Sequence, residues 1–296
     1  MAQARGLLLI ALAAGLWGTL GLFFKASLAY GLTSLGLAFL RSLLTLVLLV
    51  LGLVLTRPRL LRVAPRHLPA FLLLGGVSVA LFYWVYILAV DLTSVATGAV
   101  LLYTAPAWVT LLARWQFGEP LGRRKLAALA LAFVGCALVA RAYDLQHLRL
   151  NGLGVLAGLA AGLTYALYSI LSVPLLRRYP PLTVVTWAVA FGALLLAPVV
   201  AWQGWATLAP VLAPSPLWLW LLGLAVGPTV GALTLYTAGL QRVPAGVASI
   251  TATLEPVVAT VLAVVVLGER LAVPQLVGGA LVVTAVLLLA LSPPKR

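Results

Sequence analysis

The stretch YTAPAWVTLLARWQFGEPL at residues 103–121 has a weaker copy, TLEPVVATVLAVVVLGERL, at residues 253–271, 150 positions later. The register of the two copies holds without a gap over residues 86–140, and both copies lie in apolar runs long enough to cross a membrane. The identical pairs include Tyr86/Tyr236, Pro106/Pro256, Thr110/Thr260, Leu112/Leu262, Ala113/Ala263, Gly118/Gly268, Glu119/Glu269 and Leu121/Leu271. We interpret the match as an internal duplication, which decides the architecture.

The composition of the chain indicates that most of its surface faces lipid. The 296 residues are 64% hydrophobic and 8% charged, with a mean hydropathy of +1.17, whereas about a quarter of the residues of a soluble protein are charged. The formal net charge of +14 is also found in nucleic-acid-binding proteins. Here, however, the basic residues stand in short clusters between apolar runs, so we expect membrane lipid and no nucleic acid as a partner. Cys136 is the single cysteine and can form no disulfide within the chain.

Ten apolar segments are long enough to be spanning helices, which need about 20 mostly apolar residues. They lack the alternating pattern of barrel strands, so we predict an all-α integral membrane protein with ten transmembrane helices. The first segment continues to about Leu28 and is therefore predicted to be a retained helix, not a cleaved signal peptide. The segments cover approximately residues 7–28, 33–55, 68–90, 95–117, 123–141, 152–176, 182–202, 217–239, 245–267 and 272–291.

The distribution of lysine and arginine between the loops predicts the orientation. With ten spans, thirteen of these residues fall on the side of the N-terminus and four on or near the opposite side. Because basic loops stay in the cytoplasm, we predict that both termini are cytoplasmic. Trp202, Trp205, Trp218 and Trp220 surround the 203–216 loop on the other side, where an aromatic belt is expected.

The duplication then divides the chain into two halves, residues 1–146 and 147–296, with five helices each. An odd number of spans forces the second half into the membrane upside down relative to the first. Inverted repeats of this kind are common in secondary transporters, whose substrate sites lie near mid-membrane at the repeat interface.

Several short motifs give the chain a family resemblance. They are the Ala-Ala-Gly-Leu-Trp-Gly run that ends at Gly18, the pair Leu40-Arg41, the Leu-Glu-Pro run at residues 254–256, and a mid-helix proline followed by Gly-Glu in the fourth and ninth segments. Together they resemble the EamA family of the drug/metabolite transporter superfamily. The resemblance implies a metabolite carrier of a bacterial inner membrane, commonly an exporter of amino acids or related compounds. It implies no particular substrate, because the family is broad.

Glu255 is the most informative candidate binding residue. It lies ten residues into the ninth segment, near the bilayer centre, where an ionised side chain costs roughly 2.5–3.5 kcal/mol. Removal from water favours the neutral carboxylic acid, which permits protonation at neutral pH. We predict that Glu255 binds either a substrate ammonium or a coupling proton; the alternative is a neutral acid hydrogen-bonded to a nearby helix carbonyl. Its counterpart in the first copy is Ala105, so the duplication does not require the carboxyl group.

Two prolines and one arginine are candidates for hinge or gating positions. Pro106 and Pro256 lack an amide hydrogen, so the carbonyls of Leu102 and Ala252 lose their helical partners. We predict a kink at each proline, which acts either as a hinge or site wall or as plain packing. Arg41 is predicted to act in gating or to attract a substrate carboxylate, unless it belongs to a structural ion pair.

Two further sets of side chains complete the predicted site. Glu119 and Glu269 are interpreted as structural residues rather than gates, each capping the N-terminus of the helix that follows, the fifth and the tenth. Mid-helix aromatic residues tend to face the protein interior, since a buried hydroxyl or indole N–H needs a partner. Trp17, Tyr103, Tyr165, Tyr236 and Glu255 lie near mid-depth on the first, fourth, sixth, eighth and ninth segments. The family resemblance implies that these helices line the cavity, so the predicted pocket contains these five residues.

The sequence also lacks the motifs of several other functions. There is no phosphate-binding G-x-x-x-x-G-K-[ST] loop, and His67 and His147, the only histidines, lie in loops. We therefore predict that the protein is not an enzyme and binds no cofactor or metal. We predict a carrier that works by alternating access, and the mechanism we favour is export by proton antiport. The alternatives are a multidrug or cation efflux carrier and a passive channel. Substrate, direction, coupling and oligomeric state are not predicted.

Overall fold

The computed structural model describes residues 2–144, 151–213 and 216–291. Within these ranges the chain is helical and contains no strand, so the predicted all-α class is confirmed. The predicted boundary at residues 146–147 and His147 lie outside the described residues.

The helices follow the predicted segments closely. Nine described helices are long and apolar enough to cross a membrane, which makes the chain a multi-pass membrane protein. In chain order the helices are α1 (Ala2–Leu28), α2 (Ser34–Thr56), α3 (Pro65–Leu92), α4 (Val95–Phe117), α5 (Arg123–Val139), α6 (Gly152–Leu176), α7 (Pro181–Gln203), α8 (Leu217–Leu240), α9 (Ala245–Leu267) and α10 (Val273–Ala290).

Helix α5 is the one described helix of this set that is not among the nine candidate spans. It has 17 residues and is about 26 Å long at 1.5 Å per residue, against a hydrocarbon thickness of about 30 Å. Its first turn is Arg123, Arg124 and Lys125, so the apolar part is shorter still. The total of ten transmembrane helices therefore remains a prediction.

Irregular turns interrupt the spans at positions that repeat. A π-helical turn occupies Gly76–Leu81 in α3 and another occupies Val226–Gly231 in α8, 150 positions later. Helix α4 consists of Val95–Leu102 and Ala105–Phe117, and α9 consists of Ala245–Ala252 and Leu254–Leu267. The duplicated sequence thus specifies duplicated local structure.

Both α4 and α9 end at a glycine in the left-handed region. Gly118 has φ of 68° and Gly268 has φ of 69°, a conformation that glycine adopts without the steric cost of a Cβ atom. The turn lets Glu119 and Glu269 leave the helix axis directly after the last helical residue. Helix α1 is likewise divided, into Ala2–Trp17 and Leu20–Leu28, while two short 3-10 segments, Pro58–Leu61 and Trp205–Leu212, lie between spans.

The helices pack in pairs that join the first and second parts of the chain. Helix α1 packs against α8, α6 against α3, α2 against α7 and α5 against α10. The α5–α10 contact is closest at Gly135 and Gly278, where a Cβ atom on Gly135 would lie 2.7 Å from the Gly278 carbonyl oxygen. Small residues of this kind let transmembrane helices approach closely, and large apolar side chains such as Leu55 and Val265 stay exposed on the outside.

Candidate functional site

The two interrupted helices, α4 and α9, place their breaks next to each other in the molecule. Pro106 and Pro256 lie in the first turn of a new helical segment, not inside a kinked one. The first turn tolerates proline because its amide groups have no helical partner there. The expected kink is thus a complete break, in which Thr104 Oγ1 donates to the Leu101 carbonyl at 2.6 Å and Thr253 Oγ1 donates to the Ile250 carbonyl at 2.6 Å.

A small cavity lies at these breaks. Its volume is about 20 Å³, enough for about one water molecule. An amino-acid-sized molecule fits only if the lining groups move apart. The lining residues are Leu102, Tyr103, Ala105, Pro106, Tyr165, Ser249, Ala252, Thr253 and Glu255.

Glu255 lies in the first turn of the second segment of α9 and is partly buried. Its carboxyl group makes no hydrogen bond or salt bridge to any described residue. The alternative prediction, a neutral acid hydrogen-bonded to a nearby helix carbonyl, is therefore not observed among the described residues. A partly buried carboxyl group without a protein partner can take a cationic ligand or a proton.

The predicted aromatic residues fall into two layers around the cavity. Tyr103 and Tyr165 line it with Glu255, whereas Trp17 and Tyr236 stand behind them. The Trp17 ring centroid is 6.4 Å from that of Tyr165 and 5.2 Å from that of Tyr236. The Tyr236 hydroxyl is 2.7 Å from Ser169 Oγ, so it already has a partner within the helix bundle.

Arg41 lies apart from the cavity wall, in an aromatic and hydroxyl environment. It is 6% exposed, and its Nε donates to Thr229 Oγ1 at 2.8 Å. The guanidinium carbon is 5.9 Å from the Phe24 ring centroid and 5.5 Å from that of Tyr83, within the range of cation–π attraction. The structural ion pair left open by the sequence is not formed among the described residues, whose one salt bridge joins Lys125 and Glu119.

Thr229 is a functional candidate that the sequence reasoning missed. Pro228 cannot donate to the Leu224 carbonyl four residues earlier, and the Thr229 hydroxyl donates to that carbonyl at 2.7 Å instead. The hydroxyl oxygen then remains free to accept from Arg41. The pair Gly227-Pro228 was the available signal, since it marks the turn in which Thr229 lies.

The position of Glu119 differs from the expected cap of α5. Its Oε1 accepts from the Ala245 amide at 2.6 Å and its Oε2 accepts from the Gly246 amide at 3.3 Å, so it caps α9. Lys125 Nζ donates to the same carboxylate at 2.7 Å. A carboxylate stabilises a helix N-terminus by accepting from its free amides and by its charge; the α5 cap residue, Gly122, provides no side chain.

Glu269 also differs from its predicted role as a cap of α10. Its side chain is exposed, and Gln275 Oε1 accepts from the Ala272 amide at 3.1 Å at the start of α10. The Gln275 side chain also donates to the Val139 carbonyl at 3.2 Å. Within the described ranges, no group of three or more His, Cys, Asp or Glu side chains could hold a metal ion.

Comparison with known proteins gives the family of the chain. The model of the EamA-like transporter family matches twice, over residues 4–141 and 152–291. An uncharacterized transporter of Archaeoglobus fulgidus is 32% identical over 204 residues, which are 69% of this chain and 70% of the relative.

Two further similarities concern a named activity and the fold. A probable terminal-alkyne amino-acid exporter of Streptantibioticus cattleyicolor is 35% identical over 198 residues, 65% of this chain and 63% of the relative. A solved crystal structure superposes with a TM-score of 0.82 at 21% identity, over 97% of this chain and 96% of that chain. At that identity the second similarity concerns the fold alone.

Proposed function

The chain belongs to the EamA-like transporter family, and on this premise we propose that it is a secondary transporter that exports amino acids or related small metabolites by alternating access. The membrane is the inner membrane of a bacterial cell, with both termini in the cytoplasm. The substrate class is supported by the relative named a probable amino-acid exporter.

One observation carries the proposal: Glu255 presents a carboxyl group without a protein partner to a cavity at two helix breaks. Interrupted helices near mid-membrane are the usual construction of a transporter site, because helix ends offer unpaired backbone groups to the substrate. Glu255 binds either the substrate ammonium or the coupling proton, and Tyr103 and Tyr165 form the wall of the site.

Alternating access is supported by the paired irregularities of the two halves, each with a π-helical turn and a broken helix 150 positions apart. Two inverted five-helix halves, 1–146 and 147–296, give one site two related exits. In the state described here Glu119 ties the end of α4 to the start of α9, which closes the cytoplasmic exit. Glu269, its counterpart, is exposed at the opposite exit.

A second candidate function is efflux of lipophilic cations. The observation that favours it is the same carboxyl group beside the aromatic rings of Tyr103 and Tyr165, since aromatic faces and a carboxylate together attract organic cations.

Counterflow in proteoliposomes tests the proposal. Purified protein is reconstituted with unlabelled L-leucine or L-phenylalanine inside, and the uptake of the labelled amino acid is followed. A carrier gives transient, saturable accumulation, whereas counterflow of lipophilic cations alone would favour the second function. A channel gives no counterflow, and that result would contradict the proposal.

Glu255→Gln separates the two roles of the carboxyl group. If Glu255 binds the substrate ammonium, counterflow falls about tenfold to hundredfold, as expected for the loss of a hydrogen bond to a charged group. If Glu255 carries the coupling proton, counterflow remains and accumulation driven by a pH gradient is lost. Glu269→Gln, the same change at an exposed position, is the matched control. Unchanged counterflow together with unchanged pH-driven accumulation in Glu255→Gln would remove Glu255 from the site.

A further inference from the structure

Two charged side chains lie deep in the membrane-spanning part of the described chain. Among the Asp, Glu, His, Lys and Arg residues of the described spans, two lie more than six residues from both ends of their span: Arg41 in α2 and Glu255 in α9. Ionisable residues at such depth usually pair with each other or bind a ligand. Arg41 and Glu255 are close enough for their charges to interact, but they form no salt bridge.

Only one of the three guanidinium nitrogens of Arg41, Nε, makes a hydrogen bond to a described residue. Thr229, turned toward it by the break at Pro228, accepts from Nε. The two terminal nitrogens of the guanidinium make no hydrogen bond to any residue that the structure describes. Since the guanidinium stays charged, these free donors match a planar oxyanion such as a carboxylate, which binds arginine in a bidentate manner.

Aromatic side chains connect Arg41 with the cavity. The Tyr83 ring, 5.5 Å from the guanidinium carbon, is 5.3 Å from the Phe82 ring, which is 5.4 Å from Tyr165 on the cavity wall. The row thus joins the surroundings of Arg41 to the cavity wall beside Glu255.

We propose that Arg41 binds the carboxylate of the transported molecule while Glu255 faces its ammonium group, so the substrates are zwitterions with a free carboxylate. The proposal rests on the transport function stated above and narrows its substrate class. The Glu255 carboxyl group and the terminal nitrogens of Arg41 have no hydrogen-bond or ionic partner among the described residues, and an unpaired buried charge is costly; a zwitterion supplies both partners at once. A cationic amine satisfies Glu255 only and leaves Arg41 unpaired.

The test compares three probes that share one side chain: L-phenylalanine, phenylethylamine, which lacks the carboxylate, and 3-phenylpropanoate, which lacks the ammonium. Counterflow and competition are measured for each in proteoliposomes. The wild-type protein is expected to prefer L-phenylalanine over both partial probes by about tenfold or more, as for the loss of a charge-assisted hydrogen bond.

Arg41→Gln should then lower L-phenylalanine counterflow about tenfold to hundredfold, while the residual transport of phenylethylamine changes less than about twofold. Arg41→Lys should recover part of the loss, since it restores the charge without the planar fork. Arg114→Gln, the same change at an exposed position near the end of α4, should leave all three probes unaffected.

Thr229→Val provides a variant that keeps the arginine. Valine occupies the equivalent position of the other π-helical turn, at Val79, so the fold accepts it. The change removes the acceptor for Nε and should weaken L-phenylalanine counterflow in the same direction as Arg41→Gln, by a smaller factor.

Three results would overturn the inference. Equal loss of L-phenylalanine and phenylethylamine transport in Arg41→Gln would make the arginine structural. Equal counterflow of the two probes by the wild type would contradict the zwitterion requirement while leaving a transporter. If none of the three probes and neither L-leucine nor L-phenylalanine shows counterflow, the transport function is contradicted as well.

Discussion

Glu119 and Glu269 occupy equivalent positions of the duplicated sequence, yet their surroundings are opposite. Both follow a left-handed glycine at the end of a broken helix. Glu119 is about nine-tenths buried between Lys125 and the first amides of α9, whereas Glu269 is exposed. The same motif is therefore engaged at one end of the molecule and free at the other.

The residues around the two glutamates explain why their states differ. Lys125 corresponds to Gln275, which caps its own helix and contacts the Val139 carbonyl. Gly246, at the start of α9, corresponds to Ala96 at the start of α4, and the latter helix is capped by its own Ser94, whose hydroxyl accepts from the Thr97 amide at 3.1 Å. Divergence of the two copies thus gives the two ends different hydrogen-bond contacts.

The largest expected effect is that of removing the engaged carboxylate. Glu119→Ala leaves two helix amides and the buried Lys125 amine without their acceptor, and we expect a loss of about 1–3 kcal/mol in stability. Under the proposed orientation this end faces the cytoplasm, and we expect it to open more often in the variant. A cysteine placed at Thr110, beside Gly246, reports this as faster alkylation by an impermeant maleimide in inside-out vesicles.

Glu269→Ala is the matched control for that experiment, because it makes the same change at the exposed counterpart. It should leave both the melting temperature and the alkylation rate unchanged. Equal effects of the two substitutions would show that the engagement of Glu119 contributes nothing to closure.

A smaller effect is expected from filling the space beside Lys125. A Cβ atom at Gly246 would lie 2.5 Å from Lys125 Cε and 2.6 Å from its Nζ, so Gly246→Ala must displace the lysine from Glu119. Because a lysine side chain is flexible, we expect a loss of about 1 kcal/mol. Thermal unfolding followed by tryptophan fluorescence measures it, and an undiminished melting temperature would mean that the pair re-forms in another geometry. Ala96→Gly, at the counterpart position, controls for the change of helix propensity.

The smallest effect concerns the free end. Ser94→Ala removes the hydroxyl that caps α4 and should cost about 0.5–1 kcal/mol. Glu269→Ala is then added to Ser94→Ala. If it lowers the stability of this variant more than that of the wild type, Glu269 caps α4 when the Ser94 hydroxyl is absent. If the stability losses of the two substitutions simply add, Glu269 does not cap α4.

The local features of the fold follow from the sequence because their causes are local. Proline at positions 106 and 256 removes an amide hydrogen, and glycine at positions 118 and 268 accepts a left-handed turn, whatever the rest of the chain does. The helix breaks and turns could be predicted on this basis, whereas the cavity residues Tyr103, Tyr165 and Glu255 were predicted from their depth in the spans and from the family resemblance.

Long-range contacts could not be predicted in this way. Glu119 lies four residues before the first residue of α5, so sequence order favours a cap on that helix. The cap on α9 depends on how α4 packs against α9 in three dimensions. Thr229 gives the same lesson, because a threonine after Gly-Pro has no feature that names Arg41, 188 positions earlier, as its partner. The predicted segment for α5, 123–141, is two residues longer than the helix, which ends at Val139 before Arg141 takes a positive φ of 59°.

The contact between Gly135 and Gly278 also has a consequence for biogenesis. Helix α5 has three basic residues in its first turn and carries Gly135 on the face that contacts α10, a helix synthesised more than 100 residues later. We expect this face of α5 to stay uncovered in the bilayer until α10 inserts. We therefore expect a chain truncated before α10 to present this face of α5 to lipids and to quality-control proteases.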